Sequence, residues 1–377
     1  MTQVVHEGVG SLDVIAGILQ TWDARACFLL RGSASYEHAE WRGRFERMIQ
    51  GCHVKAFVCN TRVLTIQQAE RAARAFAQFP CDVIVAVGGG TVLDTAKAVL
   101  ALACDPSNAL EYVRGEQSFR ALNTPLVAVP TTGGSGSEAT STAVVYVGMK
   151  KYSLSQVALL PGVAVLDPSL TYGLPARVTA TAGFDALAQA IESMWSVKST
   201  NESRGYAREA LKLAWDHLAR AVQAPSHKDR AAMILAAHLA GKAINISQTT
   251  APHALSYALT VRFGVAHGHA VGLTLPTLLS YNSQVTGEDV QDDRGVEHVR
   301  TQMEAVVTAL GAASPAKARV HLENLLDAIG LERRLGRLGI SAADCEMLAR
   351  EVNEQRLANN PRLLSQHLLR DIFLELL

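Results

Sequence analysis

DVIVAVGGGTVLDTAKAVLALA, residues 82–103, decides how the chain folds. The run from Asp82 to Val87 is almost continuously apolar and rich in β-branched residues, which is the pattern of a strand buried on both faces under crossover helices. Three glycines follow, and beyond them the apolar residues recur at helical spacing. Gly88, Gly89, Gly90 and Thr91 therefore stand between the carboxyl end of a buried strand and the start of a helix. Free N–H groups and the helix dipole gather there, and glycine lets a pyrophosphate approach the main chain closely. A tight strand-to-helix connection selects glycine as well, and the GxGxxG spacing is absent, so this turn alone leaves both readings open.

Working outward, ACFLLRG (26–32), KAFVCN (55–60), TPLVAVPTT (124–132) and GVAVLD (162–167) repeat the theme of short β-branched runs separated by helical patterns. This alternation predicts βαβ units and a parallel sheet. A second small-residue turn, Pro130-Thr131-Thr132-Gly133-Gly134-Ser135-Gly136-Ser137-Glu138, follows the next buried strand and would lie beside the first, so that two adjacent loops at strand carboxyl ends form a ligand crevice. After DPSLTYGLP (167–175) the character changes. Segments such as SRGYAREALKLAWDHLARAV and DRAAMILAAHLAGKAINI carry apolar residues at helical spacing, and the polar stretch 283–300 reads as a loop within a helical domain. We expect an α/β nucleotide-binding domain over residues 1–176 and an all-α domain over 177–377.

The bulk numbers agree with two domains: 377 residues, 49% hydrophobic and 19% charged. With 35 basic and 35 acidic side chains there is no net field to attract nucleic acid or an anionic membrane, which leaves a small molecule as the expected partner. The six cysteines form no CxxC pair and read as reduced packing residues. No apolar run reaches the roughly 18 residues a membrane span needs, and the start has no basic region ahead of its short apolar stretch, so a cytoplasmic location is expected.

In the helical half, Asp185 and Gln189 lie four residues apart and so share one helix face. His253 and His267 follow, fourteen residues apart. One carboxylate and two imidazoles suit a divalent ion such as Zn or Fe(II). Packed or surface histidines on Ala-rich helices are an equally ordinary source of such a pattern, so the residues alone leave the ligand reading open.

Taken together, GGGT-x-x-D-x-x-K, PTTGGSGSE, DPSLTYGLP, GFDAL-x-x-AIE and H-x13-HGHA resemble, in order and over essentially the whole chain, the successive signatures of the iron-containing (group III) alcohol dehydrogenases. The resemblance implies a Rossmann-like nucleotide-binding domain followed by an all-α domain, the two-domain plan shared with dehydroquinate synthase. It also implies an NAD(P)-dependent, metal-dependent reaction on a small aldehyde or its alcohol. By this resemblance Gly88, Gly89, Gly90 and Thr91 with Asp94 would hold the pyrophosphate and ribose. Thr131, Thr132, Ser135 and Ser137 would line the phosphates and nicotinamide, and Lys151 would stand near the nicotinamide ribose. Asp185, His253 and His267 match three of four metal ligands, while the fourth, usually histidine, is Gln189, whose amide oxygen binds Fe(II) or Zn less strongly than imidazole. Where NAD-preferring members carry an acid after the ACFLLR strand this chain has Gly32, so NADP is expected slightly over NAD, with Arg31, Ser33 or Ser35 near a 2′-phosphate.

DALAQAIESMWSVKSTNESRGYA and TTAPHALSYALTVRFGVAHGHAV are most similar to the phosphonoacetaldehyde reductase branch of that family. This implies reduction of phosphonoacetaldehyde to 2-hydroxyethylphosphonate, with Lys198, Arg204 and His269 as candidate anion-binding groups and His269 as a candidate proton donor. The resemblance also implies a homodimer or larger homo-oligomer. A metal-independent reductase of the maleylacetate type, in which His253 and His267 polarise or protonate the substrate, is the enzymatic alternative. A nucleotide-binding regulatory module is the non-enzymatic one.

Overall fold

The computed structural model describes residues 3–352 and 354–377. The chain divides into two compact units, one ending at Leu174 and the other running Pro175–Leu377. The first unit holds strands β1 (Val4–Glu7), β2 (Ala26–Gly32), β3 (His53–Cys59), β4 (Val83–Gly88), β5 (Leu126–Pro130), β6 (Thr142–Val147), β7 (Lys150–Ser155) and β8 (Val163–Leu166). Its helices are α1 (Val14–Thr21), α2 (Ala34–Glu37), α3 (Arg42–Ile49), α4 (Ile66–Ala77), α5 (Gly90–Leu102) and α6 (Ala109–Arg114).

Six strands form one parallel sheet in the order β1-β8-β5-β4-β2-β3. Every residue of β4 and β5 is buried, and the β4 side chains alternate between two apolar layers. Ile84 and Ala86 join the layer containing Ala69, Val99 and Phe76, while Val83, Val85 and Val87 join the one containing Ile15, Phe45 and Val129. Both faces of the sheet are thus covered, as its continuous apolar runs require. The chain steps from β2 outward to β3, then returns to the other side of β2 for β4 and continues to β5 and β8. The reversal falls between the carboxyl ends of β2 and β4, where open α/β sheets hold their ligands.

Two features were not expected from the sequence. Strand β1 is a four-residue edge strand with an almost wholly exposed pattern, so it carries no burial signal. Strands β6 and β7 form an antiparallel hairpin whose turn uses Gly148 at φ +58°, a left-handed conformation that favours glycine. None of the six cysteines is in a disulfide: Cys27, Cys59 and Cys345 are buried, Cys52 and Cys81 partly so, and Cys104 is exposed.

The second unit consists of α7 (Ala176–Trp195), α8 (Asn201–Gln223), α9 (His227–Ser247), α10 (Ala251–Phe263), α11 (His267–Asn282), α12 (Val296–Ala309), α13 (Pro315–Ala328), α14 (Ala342–Arg350), α15 (Glu354–Leu357) and α16 (Gln366–Glu375). Helix α7 is buried throughout from Gly183 to Trp195 and packs against α8, α9 and α11, which explains why its sequence is apolar on nearly every side. Reciprocal side-chain caps at Thr200/Ser203 and Ser226/Asp229 start α8 and α9. The expected loop at 283–300 ends at Gly295, where α12 begins. Among the described residues, no helix is long and apolar enough to cross a membrane.

Candidate metal centre and cofactor loops

On a helix as apolar as α7, three polar side chains stand out: Asp185, Gln189 and Glu192, at spacings of four and three and therefore on one face. All three are buried. Helices α10 and α11 bring His253 and His267 to this face, so that one ligand atom from each of Asp185, His253 and His267 lies within 4.8 Å of the others.

The close approach depends on Gly268. A Cβ there would lie 1.9 Å from the Thr181 carbonyl oxygen and 2.9 Å from the Asp185 main-chain nitrogen, so only glycine lets the start of α11 rest on α7. Gly272, one turn on, meets Phe184 and Leu326 in the same way. His267, the first residue of α11, is thereby placed beside Asp185, its Nε2 3.8 Å from Asp185 Oδ1.

The two imidazoles are oriented by their far nitrogens. His253 Nδ1 makes a very short contact with Glu192 Oε2, while Glu192 Oε1 accepts from the Thr250 N–H (2.8 Å) and hydroxyl (2.9 Å). Trp195 Nε1 donates to the same hydroxyl at 2.9 Å. Ser256 Oγ donates to the His253 carbonyl (2.8 Å), which leaves it to accept from His267 Nδ1 at 3.4 Å. Both rings therefore point Nδ1 at an oxygen and turn Nε2 toward Asp185, the orientation that metal-binding histidines adopt. His253 Nε2 stands 3.3 Å from Asp185 Oδ1 and has no hydrogen-bond partner.

Burial alone would push the His253 imidazole down, but Glu192 and Asp185 outweigh it and hold it up at about 10. A position that retains a proton so strongly between two carboxylates is one where positive charge is stabilised. One buried carboxylate with two Nε2 atoms aimed at it fits a divalent transition metal. Gln189 donates Nε2–H to Asp185 Oδ2 at 3.3 Å, and rotation of the amide would present its oxygen in the same place.

His269 does not join this set. It is 2% exposed, and its Nε2 donates to the Glu332 carbonyl at 2.6 Å. Burial pushes its ring below the ordinary value, aided by Arg177. Lys198 is exposed and donates to Gln248 Oε1 at 2.8 Å, and Arg204 gives its two terminal nitrogens to Ser199 and Asn201. Each of these three expected anion-binding groups is thus held by local partners. Glu192 and Ser256 were missed as orienting residues, although the 185/189/192 spacing on an otherwise apolar helix pointed to Glu192.

In the first unit, Thr131 N–H donates to the Gly88 carbonyl at 3.0 Å and joins the two turns. A Cβ on Gly90 would lie 2.7 Å from Ser135 Oγ, one on Gly89 3.4 Å from Thr132 Oγ1, and one on Gly88 2.5 Å from Val92 Cγ2. No side chain caps α5. The helix start therefore offers main-chain N–H groups toward Thr131, Thr132 and Ser135 in the setting that binds phosphate. Thr91 donates its hydroxyl to the Arg62 carbonyl, and Lys151 lies on β7.

Asp94 ties neighbouring segments of the first unit together. Its Oδ1 accepts from Ser137 Oγ (2.5 Å) and its Oδ2 from the Val144 N–H (3.0 Å). Beside it, Lys97 is fully buried and donates to the Ser137 carbonyl and the Thr140 hydroxyl, each at 2.9 Å, and to the Thr142 carbonyl. Burial pushes this ammonium below its ordinary value, opposed by Asp94 at 3.2 Å. Asp94 and Lys97 thus tie the 131–142 segment to α5, a role the sequence reading did not give to Lys97. At the end of β2, Gly32 carries no acid, but Glu37 pairs with Arg31 at 2.6 Å and with Arg42, and the Arg31 guanidinium lies over Tyr36.

A doubly covered parallel sheet with two adjoining glycine-rich turns and a helical unit carrying an Asp-His-His cluster are the features of a protein class that combines a nucleotide with a metal ion. Known proteins agree. Residues 2–168 match the family described as "Iron-containing alcohol dehydrogenase", and residues 179–377 match "Fe-containing alcohol dehydrogenase family, C-terminal". The chain is 40% identical over 309 residues to the phosphonoacetaldehyde reductase of Streptomyces viridochromogenes, covering 79% of this chain and 76% of that one. It is 30% identical to the NAD-dependent methanol dehydrogenase of Bacillus methanolicus, covering 78% and 77%. Sulfoacetaldehyde reductase from Bifidobacterium kashiwanohense, solved in complex with NAD+, superposes with a TM-score of 0.87 at 26% identity, covering 99% of this chain and 96% of that one. The chain belongs to the iron-containing alcohol dehydrogenase family and is an oxidoreductase of the alcohol dehydrogenase and aldehyde reductase type.

Proposed function

We propose that this protein reduces a small aldehyde bearing a phosphonate, phosphonoacetaldehyde, to 2-hydroxyethylphosphonate, using NADPH in preference to NADH and a divalent ion, Fe or Zn, held by Asp185, His253 and His267 with Gln189 beside them. The observation that carries the reading is the convergence of two Nε2 atoms on Asp185 in a chain 40% identical to a phosphonoacetaldehyde reductase.

When bound, the nicotinamide supplies the hydride and the metal the Lewis acidity that polarises an aldehyde oxygen. The chain's own part is preorganisation. Glu192 and Ser256 orient the two imidazoles so that each Nε2 faces Asp185, and the Gly268 crossing fixes their distance from it. The turns at Gly88–Thr91 and Thr131–Ser137 hold the dinucleotide through main-chain N–H groups and small hydroxyls. His269 is occupied by the Glu332 carbonyl and lowered in basicity, so we assign the proton of the product alcohol to water. The preference for NADPH rests on Gly32, which leaves the end of β2 without the carboxylate that would repel a 2′-phosphate, and on Arg31 beside it.

The test is turnover of phosphonoacetaldehyde beside lactaldehyde and butyraldehyde, with NADPH and NADH, on protein stripped of metal and reloaded with Fe(II) or Zn. Metal-dependent turnover favouring the phosphonate and NADPH is expected. Full activity in the stripped protein would move the assignment to a metal-free reductase of the maleylacetate type.

A further inference from the structure

A phosphonate substrate raises a question that the metal centre does not answer. Asp185 and Glu192 together balance a dication, so the centre has no net charge with which to prefer a dianionic aldehyde over a neutral one. Discrimination needs a cation close by that is not already engaged, and a guanidinium fork matches tetrahedral oxyanions best.

We propose that Arg356 is the specificity-determining residue, the cation that holds the anionic end of the substrate. The proposal rests on the phosphonate reading above and deepens it. Tyr257 follows His253 by one turn of α10, and its ring stacks on that of His267, with centroids 6.2 Å apart and planes 10° apart. Helix α15 sets the Arg356 guanidinium over this same ring, 5.1 Å from its centroid, and Arg356 Nη1 donates to the Tyr257 hydroxyl at 3.4 Å. Arg356 is thus one side chain removed from a metal ligand.

Its condition differs from that of the other candidates. Lys198 and Arg204 are anchored to Gln248, Ser199 and Asn201. Among the described residues, no carboxylate pairs with Arg356, whose recorded partners are the face and hydroxyl of Tyr257. A half-buried guanidinium steadied by an aromatic face, with donors remaining on its fork, is prepared to receive an oxyanion. The shared chemistry is a C2 aldehyde ending in a tetrahedral anion, so phosphonate and sulfonate must be told apart by the test.

The experiment uses the full, metal-loaded enzyme with Arg356→Met, Arg356→Lys and Tyr257→Phe, and reads the ratio of kcat/KM for phosphonoacetaldehyde to that for propionaldehyde. The ratio is independent of the fraction of each preparation that is folded. In Arg356→Met it should fall about a hundredfold, chiefly through KM for the anion, because a charged, forked hydrogen bond is lost. Arg356→Lys should recover part of the loss, and Tyr257→Phe should show a smaller fall in the same direction. A ratio unchanged within about threefold in Arg356→Met overturns the proposal while leaving the substrate reading intact. A wild-type enzyme that reduces sulfoacetaldehyde instead, with the same collapse in Arg356→Met, supports the clamp and replaces the phosphonate by a sulfonate. A wild-type enzyme that reduces neither anionic aldehyde overturns the substrate reading and the clamp with it.

Discussion

The glycine turns of the first unit present main chain, shaped by side chains that are missing; the Asp-His-His cluster of the helical unit presents side chains, each fixed by another. Gly88, Gly89 and Gly90 permit contacts with Val92, Thr132 and Ser135 that a Cβ would spoil, and the donors are N–H groups of a helix start. Asp185, His253 and His267 depend instead on Glu192 and Ser256 and on a helix crossing that one glycine makes possible. The first kind is most sensitive at its glycines and at the Asp94 and Lys97 side chains that tie its second turn to α5. The second can be damaged from several positions that touch no ligand.

Substitutions on each side can break or sharpen this contrast. The largest effect is expected from Gly268→Ala, since the added Cβ meets the Thr181 carbonyl at 1.9 Å and the helices must part. Thermal unfolding should report a loss of about 3 kcal/mol or more, and metal analysis should show an emptied centre. Next comes Glu192→Gln, which keeps the shape but removes the charge behind His253. Metal titration should show affinity about 10–100-fold weaker with cofactor affinity unchanged, and an unchanged metal affinity would refute the orienting role. Gly90→Ala should act in the opposite sense. With Ser135 forced away, KM for the dinucleotide should rise about tenfold while metal content stays at the wild-type level.

The smallest effect lies outside both sites, at the start of α9. Burial pushes Asp229 up, but Ser226, His217 and Arg220 more than offset it and bring its carboxyl down to about 2. A depressed folded-state value stabilises above the ordinary 3.8 and loses that contribution as pH falls from about 4 toward 2. Asp229→Asn should therefore lower Tm by a few degrees at pH 7, a difference that shrinks at pH 3, with cofactor and metal affinities unchanged at pH 7.

The sheet was legible because its strands are buried on both faces, so ACFLLRG and DVIVAV carry unbroken apolar runs; β1, exposed at an edge, carries no such signal. The candidate set Asp185, His253 and His267 could be picked out from the ordered motifs, and the structure brings these three side chains together, but the residues that orient them could not be read. Glu192 lay in a quoted motif without a role, because which nitrogen of His253 needs a partner is a property of packing, not of spacing. Gly268 was read as part of HGHA, yet the reason for glycine there is an atom of Thr181, far back in the chain. His269, Lys198 and Arg204 were plausible by charge type, and each proves to be held by a neighbour that no spacing rule identifies. Arg356 was overlooked because a short helix with an isolated arginine has no pattern at all.

The cysteine distribution has a practical consequence for spectroscopy. Burial pushes the Cys27 thiol up to about 12 and Cys81 up to about 11, and raises Cys52, Cys59 and Cys345 as well, so these five hold little thiolate at neutral pH. Cys104 is exposed and lies just past the end of α5, the helix whose opposite end faces the glycine turn. A maleimide dye added briefly at neutral pH should therefore mark one position. That label would sit about 20 Å from the phosphate-binding turn, given the rise of an α-helix, close enough to follow energy transfer from a bound reduced nicotinamide without altering a single residue.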